Sequence, residues 1–109
     1  MNAWIYLLLA GLFEIGFTSM MKLSNGFSLD RWPYLIGFFV SAALSFSLLV
    51  KVMQIIPLGT AYAVWTGIGA AGTAVVGMMF FKDPVTLGRV FFLCTLIGSV
   101  IGLKMVSPE

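Results

Sequence analysis

The chain has 109 residues, of which 61% are hydrophobic and only 9% charged, with a net charge of +2. A soluble domain of this size carries about 25% charged residues, and the apolar excess here lies in long blocks, so the composition points to an integral membrane protein and away from a soluble enzyme. With no histidine and a single cysteine, Cys94, the chain can build neither an intramolecular disulfide nor a thiolate–imidazole metal site, and its few scattered cations do not suggest nucleic acid.

A helix needs about 20 mostly apolar residues to cross a hydrocarbon core of roughly 30 Å. Taken in chain order, the first block runs from about Ala3 to Met21 and ends at Lys22 and the turn signal "SNG". It lacks the basic start and small-residue cleavage site of a signal peptide, so it is expected to be a span. The second runs from about Trp32 to Val50, the third from Thr60 to Phe81, and the fourth from Leu87 to Leu103, ahead of Lys104. Lys, Asp, Pro and Gly separate the blocks, and Trp4, Tyr6, Trp32 and Tyr34 fall near span ends, where aromatic rings favour the headgroups. The expected fold is an all-α membrane domain of four transmembrane helices covering residues 1–109. Short loops make neighbouring spans antiparallel. Loops one and three carry Lys22, Arg31, Lys82 and Arg89, against Lys51 and Lys104 on the opposite side. This weak bias fits a single orientation with both termini outside, and it fits insertion in both orientations. Four helices make too thin a wall for a solute path, so transport would require an oligomer.

In the first span, "LLLAGLFEIGFTSMM", Glu14 stands in a run without another charge. It lies about eleven residues into the helix, roughly 16 Å deep and close to the bilayer midplane. An ionised carboxylate there costs at least about 2.5–3.5 kcal/mol, and desolvation favours its neutral form. Ala10 and Gly11 lie one turn before it and Phe17 and Thr18 one turn after, a face suited to partner helices. No Lys or Arg lies at similar depth. Glu14 is thus either an assembly hydrogen-bond donor, permanently protonated, or an acid awaiting a mobile cation or proton.

The third span, "GTAYAVWTGIGAAG", places Tyr62, Trp65, Thr66 and Gly69 on one face. Tyr62 can hydrogen-bond a carboxylate and the face of Trp65 attracts cations, although both rings could equally pack against another helix. Gly67, Gly69 and Gly72 permit a hinge or close helix contact. Gly37, Ser41 and Ser45 form a weakly polar stripe on the second span, from which Ser45 could orient a carboxylate. On the fourth span Cys94, Gly98 and Gly102 form a small-xxx-small seam suited to helix association. No nucleophile–base pair, metal set or phosphate loop suggests an enzyme, and no cofactor is implied.

Four short spans, the lone Glu14, "PLGTAYAVWTGIGAAG" and the closing "IGLK" resemble the small multidrug resistance transporters over essentially the whole chain. The resemblance implies a homodimer, often of two antiparallel copies, that exports small organic cations across the bacterial inner membrane in exchange for protons. Glu14 would be the shared proton and substrate site. Tyr62, Trp65, Ser45, Phe17, Thr18 and Gly11 would line it, with Ser45 touching the Glu14 carboxylate, and Gly98 and Gly102 would carry dimer packing. "GTAYAVWTGIG", "FFK" and "IGLK" are similar to the guanidinium-exporting branch. "EIGFTSMMK", with Phe17 where that branch usually has Trp, is similar to the exporters of quaternary ammonium and lipophilic aromatic cations. Some members of the family work only as paired, unequal subunits. The third span favours the guanidinium branch. The rivals are a non-transporting membrane subunit and a cation or proton channel.

Overall fold

The computed structural model describes residues 3–107. Four α-helices follow one another: α1 (Ala3–Leu23), α2 (Trp32–Met53), α3 (Leu58–Phe80) and α4 (Leu87–Val106), with a 3-10 turn (Leu29–Arg31) before α2. All four are long and apolar enough to cross a membrane, and their limits fall within three residues of the expected spans.

The helix ends follow local chemistry. Pro33 sits in the first turn of α2, where its missing N–H costs nothing. Thr86 caps α4 by accepting a hydrogen bond from the Arg89 N–H at 3.1 Å. Lys22, Lys51 and Lys104 fall in the last turns of α1, α2 and α4, where a cation complements the helix dipole. After α1 the chain reverses through Asn25, Gly26 and Phe27, all with positive φ. The Ser24 hydroxyl holds this turn, donating to the Met21 carbonyl and accepting from the Phe27 N–H.

Helix α1 is central: it packs most extensively against α2, then against α3, while α4 packs mainly on α3. Close approach is made by small residues. A Cβ on Gly16 would meet the Ser41 hydroxyl and one on Gly37 would meet Met20, which sets α1 antiparallel to α2. Between α1 and α3, running in the same direction, a Cβ on Gly11 would overlap Ile68 and a Cβ on Gly72 would overlap Ile15. Without a hydrophobic drive between helices in lipid, such interdigitation is what holds the bundle together. The core gathers Leu7, Ala10, Phe17, Leu49, Val52, Ile56, Val64 and Trp65. No residue of α4 is buried. A Cβ added at Gly98 or Gly102 would have nothing within 4 Å, so the expected packing seam is unused within one protomer.

Replacing Gly72 by Val should therefore destabilise the bundle by about 1–3 kcal/mol through overpacking, read as a lower midpoint of denaturation by SDS in mixed micelles. Gly88→Ala, at a position with open space around it, should leave the midpoint unchanged.

Candidate functional site

The parallel register of α1 and α3 brings Glu14 onto Gly69. A Cβ at position 69 would occupy the same space as the Glu14 carboxyl group, so glycine is what admits the side chain between the helices. Glu14 is half-buried as a residue, but its Oε1 is shielded from solvent and has no hydrogen-bond partner. A buried oxygen left unsatisfied costs about 1–3 kcal/mol, and more if it carries charge. This oxygen therefore keeps an acceptor position open to a hydrogen-bond donor.

Gly67, Gly69 and Gly72 lie within an unbroken α3. All three serve close contact: Gly67 meets Val100 of α4, Gly69 meets Glu14, and Gly72 meets Ile15.

Ser45 differs from expectation. Rather than facing the Glu14 carboxylate, its hydroxyl donates to the Ala10 carbonyl at 2.7 Å and accepts from the Trp65 indole N–H at 2.9 Å. In an apolar medium a fully buried hydroxyl takes the nearest acceptor, and the register of α1 on α2 places that acceptor one turn before Glu14. Ser45 thus joins three helices. Trp65 is 7% exposed, and with its N–H committed to Ser45 the ring is fixed in orientation.

Around Trp65 runs a row of rings. Tyr62 and Phe46 each lie 5.6 Å from it, Phe17 lies 5.8 Å from Phe46, and Phe38 lies 5.9 Å from Phe17. Tyr62 is 54% exposed on the outer flank of the row, and Thr66 is also exposed, so the face read from the third span divides into an inward pair, Trp65 and Gly69, and an outward pair. Phe17 is buried as part of this row. Phe46 was missed by sequence reasoning; its place directly after Ser45 was the available signal. Thr18 turns toward α3, where its hydroxyl lies 2.7 Å from that of Thr73. Thr73 was missed as well, although it stands one turn beyond Gly69.

The sequence profile of the Small Multidrug Resistance protein family matches residues 2–96. The chain belongs to that family. Among its relatives, a probable guanidinium efflux system subunit (GdnD) of Bacillus licheniformis is 42% identical over 104 residues, covering 95% of this chain and 98% of that one. A protein of the same name from Bacillus subtilis is 43% identical over 104 residues, 95% of this chain and 97% of that one. A guanidinium exporter of Yersinia pseudotuberculosis is 44% identical over 105 residues, 96% and 99% of the two chains. Family membership and four membrane-length helices make this small multidrug resistance protein a multi-pass membrane protein.

The Ser45 junction yields a quantitative expectation. A double-mutant cycle of Ser45→Ala and Trp65→Phe should give a coupling energy of about 1 kcal/mol, measured by SDS denaturation in mixed micelles. Additive effects would show that the bond contributes nothing to the fold.

Proposed function

We propose that this protein is a proton-coupled antiporter that exports guanidinium or a closely similar small cation across the bacterial inner membrane. The observation that carries the reading is the Glu14 carboxyl group, held against Gly69 with a buried oxygen that has no partner. The names of the relatives, guanidinium exporter and guanidinium efflux system subunit, support the same substrate over quaternary ammonium.

The chemistry is one of competition. Guanidinium is planar and offers paired N–H groups that match the two oxygens of an ionised carboxylate. Protonation removes the charge and one acceptor, so the cation is released. Trp65, fixed by Ser45, presents a ring face to a flat cation, and Tyr62 and Phe17 extend that wall, with Gly11 one turn above Glu14. The wide exposure of Tyr62 suits a site completed by a second copy. In an antiparallel dimer, exchange of conformations between the two copies would interconvert inward- and outward-facing states of equal energy, the logic of an inverted repeat. Gly98 and Gly102, free within the protomer, suit contact between copies, and Gly67, Gly69 and Gly72 suit small rearrangements of α3. No part of this scheme calls for a metal, a cofactor or bond-making chemistry by the protein.

A second reading has support of its own: two of the relatives are named as subunits of an efflux system, so this chain could act in a heterodimer with an unequal partner of the same family.

The test is transport by purified protein in proteoliposomes, comparing guanidinium with tetraethylammonium. Guanidinium should drive proton movement and tetraethylammonium should not. Glu14→Gln should reduce exchange to the background of empty vesicles while inserting and folding normally. Proton-coupled export by that variant would overturn the assignment. Silence of the wild type, restored by co-reconstitution with a second family member, would establish the paired reading.

A further inference from the structure

Arg89 is the third residue of α4, about 3 Å along that helix and so at the level where a span meets the headgroups. The other arginine and two of the lysines have partners within the chain. Lys51 and Lys104 lie over the rings of Tyr6 and Trp4 at 5.5 and 5.1 Å. Arg31 lies 6.0 Å from the Tyr34 ring and donates to the Leu23 carbonyl at 3.3 Å. Lys22 and Lys82 are exposed, so water serves them. Arg89 differs. Its side chain is half-buried, and its Nε is shielded from solvent without a hydrogen-bond acceptor. A hidden N–H on a fixed cation is costly unless an acceptor arrives from outside the chain.

Beside this N–H runs a groove of about 320 Å³ lined by Gly88, Arg89, Phe92 and Leu93, all residues of α4. Phe92 and Leu93 stand one turn deeper than Gly88 and Arg89, about 5–6 Å, so a cation at headgroup level caps an apolar slot. The side of the helix is also set. Arg89 and Gly98, like Leu93 and Gly102, are nine residues apart, which at about 100° per residue places them on opposite faces. Farther along, the groove side of α4 turns Val100 onto Gly67 of α3, but no α3 residue lines the groove itself. A dimer built on the Gly98–Gly102 seam therefore leaves the groove to lipid.

We propose that this groove binds an anionic phospholipid, with its phosphate on the Arg89 guanidinium and an acyl chain along Phe92 and Leu93. The two ends of the groove select that occupant together. A guanidinium presents Nε–H and one terminal N–H side by side, a fork that matches two oxygens of a phosphate diester. Among the described residues no acid pairs with Arg89, so the site carries an unopposed positive charge that a lipid phosphate neutralises. A free anion would satisfy the fork but would gain nothing from Phe92 and Leu93. A headgroup with net negative charge, such as phosphatidylglycerol, is favoured over phosphatidylcholine, which carries its own cation next to the phosphate. The bound lipid holds the start of α4 at a set depth. Copies inserted in opposite orientations would carry one such site in each leaflet. The inference needs a protomer embedded in a membrane and does not rest on the transport reading.

The test titrates the full chain, purified in a neutral detergent, with phosphatidylglycerol and counts bound lipid by native mass spectrometry. Arg89→Gln should weaken binding about tenfold, the loss of one charge-assisted contact. Arg89→Lys, which keeps the charge without the fork, should fall between that variant and wild type. Arg31→Gln removes a cation from the same end of the bundle and should bind as wild type does. Unchanged affinity in Arg89→Gln, or an equal loss in Arg31→Gln, would overturn the proposal. A second variant does not depend on the arginine replacements folding. A Cβ at position 88 meets nothing within 4 Å, so Gly88→Leu should fill the groove and weaken lipid binding about fivefold with the SDS midpoint unchanged. Wild-type binding by Gly88→Leu would show that no acyl chain lies there and would overturn the assignment. Glycerol phosphate, which has the anion but no acyl chain, should not displace the lipid at equal concentration. Displacement would reduce the groove to a simple anion site and refute the lipid as its occupant.

Discussion

The contact on which the remaining structure depends is the meshing of α1 with α3. Gly11 receives Ile68, Gly69 receives Glu14 and Gly72 receives Ile15, so small residues on each helix accept large ones from the other. In lipid this close packing replaces the hydrophobic drive that would join the helices in water. The same meshing puts an acid between two helices, midway along α1. It leaves the other side of α1 free to lie along α2 and the other side of α3 free to take Val100 of α4. A bulkier residue at position 69 would not simply loosen this arrangement; it would evict the acid from between the helices.

The aromatic wall has a similar economy. Ser45 is one hydroxyl that both gives and receives a hydrogen bond, reaching α1 through Ala10 and α3 through Trp65. The indole that could otherwise rotate is fixed, and Phe46 and Tyr62 rest against it. The hydrogen bond and the ring contacts together hold the row in one arrangement within the protomer.

Much of this was legible in the sequence because a bilayer imposes few solutions. Apolar length fixed the helices, and the depth of Glu14 followed from a count of residues. The absence of a Lys or Arg at that depth in the sequence marks Glu14 as an acid without a fixed counter-charge. What escaped was the choice of partners. Ser45 faces a carbonyl rather than a carboxylate, and Thr18 faces Thr73, because each polar atom bonds whatever the helix register sets beside it. Register is a property of two helices, and a periodicity read on one helix does not contain it. For the same reason Tyr62 and Trp65, one turn apart on one face, end up in different surroundings, one half open and one buried. The glycines of α3 were read as hinge or contact, and in this conformation they are contacts.

Helix α4, with no buried residue, turns Phe91, Phe92, Ile97, Ile101 and Met105 outward. Acyl chains cover such a surface as well as another protein would in apolar terms, so a partner helix gains only what it packs better than lipid does. Association on this face is a contest between protein and solvent fought in two dimensions. Its outcome shifts with the ratio of protein to lipid, in the way that any linked equilibrium follows the concentration of its ligand. A sparsely and a densely populated membrane would then hold the same folded chains in different states of assembly.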